Sequence, residues 1–223
     1  MKISLGKQWK QIGPNASVGI LIMRDVTNPD ANPELQRRKT EIEKELRQKY
    51  AGMDRSDLRT LPTLAAYDRF YRQFRKTYHL QLQLESILDG KQIPSVASLV
   101  EAMFMAELED QLLTAGHDLD FVQTPVNIDV ASGTETYTRM NGKEQSLKSG
   151  DLYIHDAEGI LSSVIYGPDH RTRIRPETQS VMFTTYAVPG ILYAQLDAHL
   201  EKLRDYVLLI SDEAKVDTLE IFS

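Results

Sequence analysis

The sequence predicts an α+β fold, and three observations predict it. Helical periodicity fills the first half, short branched and aromatic segments between turn formers fill the second, and no Pro/Gly-rich or low-complexity stretch divides the two. A chain of 223 residues hides about 70% of its unfolded surface, enough for a conventional core.

The elements follow in order. Val18-Gly19-Ile20-Leu21-Ile22-Met23 is a short apolar run ending before Asp25-Val26-Thr27-Asn28-Pro29-Asp30, which predicts a buried strand and a turn. From Pro33 to Tyr50 the pattern is helical, with Ile42, Leu46 and Tyr50 on one face and favourable Glu34/Arg38 and Glu45/Lys49 pairs. A second helix is expected over Leu64 to Thr77, with an aromatic stripe of Tyr67, Phe70, Tyr71, Phe74 and Tyr78. Leu82 to Leu88 reads as a short helix stopped at Asp89-Gly90. Ser95 offers an N-cap to a helix carrying Leu99, Val100, Met103, Phe104 and Leu108. Strands are expected at Val126–Val130, Glu135–Thr138, Leu152–Ile154, Leu161–Ile165 and Val181–Val188, and Asn141-Gly142 marks a hairpin. A final helix runs from Pro189-Gly190 to about Leu208, and Thr218–Phe222 closes as a strand.

Composition bounds the function. Apolar types are 41% and charged types 26% of the chain, ordinary globular usage that excludes a disordered or collagen-like protein. With no cysteine there is no disulfide framework, thiolate nucleophile or Cys-ligated zinc. No apolar run reaches about 18 residues and the start lacks a signal peptide, so a soluble, cytoplasmic protein without a membrane partner is expected. The net charge of −6 argues against general adhesion to nucleic acid and against DNA specificity. Between Ala31 and Thr77, however, 12 Lys/Arg stand against 7 Asp/Glu. Arg72, Arg75 and Lys76 beside the aromatic stripe present a face for a phosphate backbone, with a plain solvated face as the competing reading. The rings invite a base-stacking platform, but helical spacing points them inward.

No phosphate-binding Gly-rich loop, Gly-x-Ser-x-Gly elbow or His-Glu-x-x-His occurs. His117-Asp118, His155-Asp156 and Asp169-His170-Arg171 place imidazoles beside acids, yet no spacing puts two ligands on one turn or strand face, so no metal or cofactor is assigned. Glu107 with Asp110, or Asp118 with Asp120, would suit an acid/base couple, although near helix ends such acids more often cap or stay solvated. From Tyr166 to Arg175 a loop carries Arg171, Arg173 and Arg175 at alternate positions. In an extended segment these guanidiniums point the same way and suit an anion, while an exposed hairpin tip is the competing reading.

One resemblance accounts for the order of these features. An Ile-Pro element, a Val-Glu-Ala helix, Gly-His-Asp-Leu-Asp, a Gly-x-Glu strand, an Asn-Gly hairpin, Gly-Asp-Leu-Tyr-Ile-His-Asp and Thr-Gln-Ser-Val-Met-Phe follow one another. The chain thereby resembles the B3/B4 domain of the phenylalanyl-tRNA synthetase beta subunit, and especially stand-alone proteins made of that domain. The resemblance is clearest from Leu64 to Val188. It implies one domain over 1–223: a looser strand and basic helix over 1–62, the core over 63–188, and a helix and strand over 189–223. It further implies a β-sandwich-like core flanked by helices, and a pocket that in the synthetase hydrolyses tyrosine wrongly attached to tRNA. Carried over by position, the pocket residues are Glu101, Ser162, Ser163, Tyr166 and Thr184. Phe104 stands in place of an amide, Ala115 in place of the editing histidine, and Thr184 in place of the glutamate that recognises tyrosine. A carboxylate–phenol bond contributes about 1.5–3 kcal/mol and a neutral one about 1, so selectivity for tyrosine is not expected.

Three functions follow as expectations. The first is binding of tRNA or aminoacyl-tRNA, with hydrolysis of a mischarged one through a positioned water and oxyanion donors from Ser162, Ser163, Thr184 and backbone N–H groups, His117, Ser162 and Ser163 being the catalytic candidates. The second is a non-catalytic module holding a small amino-acid-like ligand or RNA, with Arg171 and Arg173 or the basic helices on its anionic part. Metal-dependent hydrolysis through His117, His155 and His170 is a third.

Overall fold

The computed structural model describes all 223 residues. In chain order the elements are β1 (Ile3–Leu5), α1 (Lys7–Ile12), β2 (Ser17–Arg24), α2 (Pro33–Lys49), α3 (Arg55–Leu58), α4 (Pro62–Gln73), α5 (His79–Leu88) and α6 (Ser98–Asp110). Then come β3 (Thr114–Asp118), β4 (Val126–Val130), β5 (Thr136–Thr138), β6 (Glu144–Ser146), β7 (Leu152–His155), β8 (Ile160–Ser163), β9 (Gly167–Pro168), β10 (Ser180–Ala187), α7 (Tyr193–Ile210) and β11 (Lys215–Phe222). The α+β class is as expected. No helix is long and apolar enough to cross a membrane.

Two sheets carry the fold. One has the order β1-β4-β7-β8-β9, with β1 parallel to β4 and the rest antiparallel; the other, wholly antiparallel, has the order β11-β2-β10-β3. They meet face to face, because Ser162 on β8 reaches Tyr186 on β10 and His117 on β3. β2 and β10 are central in the second sheet and buried at nearly every position, which explains their continuous apolar runs. α7 covers the outer face. A Cβ on Gly19 would lie 2.7 Å from Leu200 Cδ1 and 3.0 Å from Leu196 Cδ1, so only glycine lets that helix settle on β2.

Several elements escape the pattern of the sequence. β3 reads Thr-Ala-Gly-His-Asp, a poor strand composition, and exists because β10 supplies its backbone partners from Val181 to Thr185. β1 and α1 are too short to carry periodicity; Asp129 holds them by accepting the Trp9 N–H at 2.6 Å. Ser95 does not cap α6. Its hydroxyl takes the Lys39 ammonium at 3.0 Å, while the helix start is satisfied by Asn28 Oδ1 on the Leu99 N–H at 2.9 Å.

The helix expected to Thr77 stops at Gln73, but the aromatic stripe of α4 and the turn after it faces inward, which removes the base-stacking reading: Tyr67, Phe70, Tyr71, Phe74 and Tyr78 are all buried. Tyr67 and Tyr78 stack at 4.2 Å. Their hydroxyls explain why tyrosine recurs here. Tyr67 donates to the Tyr186 carbonyl, Tyr71 to that of Val164 at 2.7 Å and Tyr78 to that of Gln111 at 2.9 Å, tying the helix to both sheets and to the end of α6.

Replacing Gly19 by alanine should destabilise the protein by about 1–3 kcal/mol through overpacking under α7, read as a lower urea midpoint with an unchanged slope.

Candidate functional site

A cavity of about 590 Å³ opens where α6, the turn between α4 and α5, β3 and the β8–β9 segment converge. That is within the range of small-molecule sites, about 300–1,000 Å³. Val100, Met103 and Phe104 of α6 line one wall, left half-buried because they face the hollow rather than the core. Ala115 and Gly116 of β3, Ser163 of β8, Tyr166 and Tyr186 form the opposite wall. Lys76, Arg139 and Arg173 stand around the cavity as its cations. Lys76 Nζ lies 5.1 Å from the centre of the Tyr166 ring. Arg139 donates to the Tyr166 carbonyl at 3.0 Å, and Arg173 to the His170 carbonyl at 2.8 Å.

Of the residues expected to form a pocket, Ser163 and Tyr166 line the cavity, together with Lys76 and Arg173 from the anion-binding set. Phe104 and Ala115, at the two substituted positions of the resemblance, line it as well. Others lie elsewhere. Glu101 is fully buried on the far side of α6, ion-paired with Lys39 at 3.0 Å and accepting from Gln36 and the Val96 N–H, so it is a structural ion pair and not a pocket residue. Thr184 is buried beside Ala115 with a hydroxyl that has no hydrogen-bond partner.

Ser162 and His117 are brought together, but inside the protein. Ser162 Oγ is 2.7 Å from the Tyr186 hydroxyl and 3.2 Å from His117 Nε2. His117 Nδ1 is 2.8 Å from Thr172 Oγ1, which donates to Asp169. Burial lowers the His117 pKa to about 3, so this imidazole is neutral and uncharged at physiological pH. Tyr186 alone of this chain lines the cavity.

The arginine loop does not present a row of free guanidiniums. Arg171 makes two 2.9 Å bonds to Asp156 and pairs with Glu158 at 3.3 Å, while Arg175 bonds the carbonyls of Arg171 and Arg173. The backbone curls around those contacts, so alternate residues diverge. Arg72 is paired with Asp68 at 2.9 Å, and Arg75 takes a left-handed conformation at the end of α4. Neither lines the cavity. His155 stacks on Tyr153 and His170 receives Arg173; with His117 sealed in the core, the three histidines share no site, and no group of three ligating side chains converges.

Glu107 was legible only as half of an Asp110 couple. Asp110 instead pairs with Lys202 at 2.5 Å and His199 at 3.1 Å, and Glu107 faces the cavity. Its one hydrogen bond is from the Thr114 N–H, at 2.7 Å. Burial raises its pKa to about 8, partly offset by that bond. The available signal was its place four residues after Met103 and seven after Val100, an acid on an apolar stripe. Asp151, behind Ser163, is likewise raised by burial to about 7, and its Oδ2 has no partner.

Two outcomes follow. Glu101→Ala should cost about 3–5 kcal/mol by stranding Lys39 in the core, seen in chemical denaturation. Glu107 binds its proton more tightly folded than unfolded, so its contribution to stability is full below about pH 4.5 and is lost as the pH rises through about 8. The melting temperature of Glu107→Gln relative to the parent should therefore increase steadily from pH 5 to pH 8.5 in a thermal-shift series.

The N-terminal fragment of the phenylalanyl-tRNA synthetase beta-subunit from Pyrococcus horikoshii superposes with a TM-score of 0.52 at 12% identity, over 100% of this chain and 54% of that one. This chain thus spans about half the length of that fragment, and the likeness is one of fold. No protein with a curated description matches the sequence. The model of the B3/4 domain describes residues 64–206, from the first turns of α4 into α7. Since that stretch is well over half of the sequence and contains every cavity residue, the chain belongs to the B3/4 domain family.

Proposed function

We propose that this chain takes the aminoacylated 3′ end of a tRNA, with the aminoacyl group inside the cavity and the terminal phosphates at its mouth, and that it hydrolyses the ester. The observation that carries this reading is the pairing of a mainly apolar hollow with Lys76, Arg139 and Arg173 around it. An anionic backbone is drawn to those cations, while the apolar walls take a side chain. The chemistry asked of the protein is modest. Water adds to the ester carbonyl carbon, the carbon–oxygen bond to the ribose breaks, and the departing 3′ oxygen takes up a proton. Ser163, one of the hydroxyls in the β-sheet wall, is the proposed donor to the developing oxyanion.

One observation favours a second reading, a binding module without turnover. Ser162, His117 and Thr184 are all sealed from the hollow, so of the side chains named for catalysis Ser163 alone lines it.

A deacylation assay over a panel of mischarged tRNAs separates the two. Release of at least one amino acid above the uncatalysed rate is expected; binding without release assigns the module, and neither binding nor release removes both readings. Replacing Lys76, Arg139 and Arg173 together by alanine should weaken tRNA binding and lower the slope of log affinity against log salt by up to about one per lost phosphate contact.

A further inference from the structure

α6 carries four acidic side chains, and three of them are matched within the protein. Glu101 has Lys39 at 3.0 Å, Glu109 has Arg38 at 3.0 Å, and Asp110 has Lys202 and His199. Glu107 alone has no basic partner. It is 2% exposed, takes a single backbone N–H, and is the acid of this helix that lines the cavity. Burial disfavours the charged form of this carboxyl, so Glu107 holds its proton when nothing basic is near, its second oxygen has no hydrogen-bond partner within the protein, and an ammonium placed beside it would favour ionisation. Its neighbours cannot supply the charge. Thr114 gives only its N–H, and the phenols of Tyr67 and Tyr78 are committed to the carbonyls of Tyr186 and Gln111.

We infer that Glu107 is the acceptor for the α-ammonium group of the bound aminoacyl moiety, so that the site takes ligands with a free amino group and refuses N-acylated ones. The inference rests on the aminoacyl reading of the same cavity and names the part of the ligand that decides admission. The placement of charge supports it. Lys76, Arg139 and Arg173 repel an ammonium and attract phosphates, and the carboxyl is the acidic side chain among the cavity's lining residues. A ligand that is anionic at one end and carries an ammonium at the other is therefore oriented by the protein. Its ammonium completes Glu107 as Lys39 completes Glu101. Val100, Met103, Phe104 and Ile174 leave an apolar surface for the ligand's side chain, which favours aliphatic or aromatic aminoacyl groups over charged ones.

The test is calorimetric titration of the full chain with 3′-deoxy-3′-aminoacylamino-adenosines of leucine, methionine and phenylalanine. These amides mimic the charged end without its labile ester, and each is used with a free and with an N-acetylated amino group. In the parent protein, N-acetylation should weaken binding by about ten-fold or more, as expected for loss of a charge-assisted hydrogen bond. In Glu107→Gln the two forms should bind alike, and Glu107→Asp should keep part of the preference. Equal affinity of the two forms for the parent protein, or a preference that survives in Glu107→Gln, overturns the role of Glu107 while leaving the aminoacyl reading standing. Failure of every compound to bind the parent protein, in either form, removes the aminoacyl reading and this inference with it. The glutamine variant deletes a buried ionisable group and should melt no lower than the parent; should it fail to fold, the parent's two affinities alone decide.

Discussion

The arrangement depends on a line of hydrogen-bonded polar side chains laid between the two sheets, running from Tyr186 through Ser162, His117 and Thr172 to Asp169. In an ordinary sandwich those positions would be aliphatic and the sheets would close on each other at about 10 Å. Here each polar atom finds the next, so the interior tolerates them, and their fixed lengths set how far β8 stands from β10 and β3. The hollow lies at the end of this line, where Tyr186 is shared between the polar chain and the cavity wall. Neutral imidazole belongs to the same design, since a charged His117 would need a partner that Ser162 and Thr172 do not provide.

The tyrosines of α4 and of the turn into α5 extend the same logic to the helical side. A stripe of phenylalanine would bury as much apolar area but leave the carbonyls of Tyr186, Val164 and Gln111 with one fewer donor. Each phenol fixes a point of backbone near the cavity: β10, the segment after β8, and the residue after α6. The hollow is thus framed by side chains that cannot move without breaking buried hydrogen bonds, the condition for a preformed binding site.

Membership of the B3/4 domain family and the likeness to a synthetase fragment describe the scaffold, and scaffolds of this kind host different ligands according to the side chains that face inward. In this chain those side chains are its own. Phe104 and Ala115 line two walls, Thr184 is sealed away, and Glu107 brings a carboxyl from another turn of the helix. Under the proposed function, such a pocket keeps an opening for an anionic chain end and differs in what it reads inside.

Much was determined by the sequence alone. The class of fold, the central strands β2 and β10, the inward stripe of α4, the extent of α2 and the Asn-Gly hairpin all follow from short-range periodicity and turn chemistry, which act between residues a few positions apart. The strand β3 did not, because its pairing with β10 crosses some seventy residues of chain, a long-range contact that no local pattern encodes. The same holds for the site. Ser163 and Tyr166 could be named from their order in the chain, but whether an acid of α6 finds a base inside the protein or faces an empty space depends on what packs against each face of the helix. Lys39, Arg38 and Lys202 come from α2 and α7 to meet Glu101, Glu109 and Asp110, and nothing comes to meet Glu107. Tertiary packing alone made that distinction, because charge compensation is a property of neighbours in space.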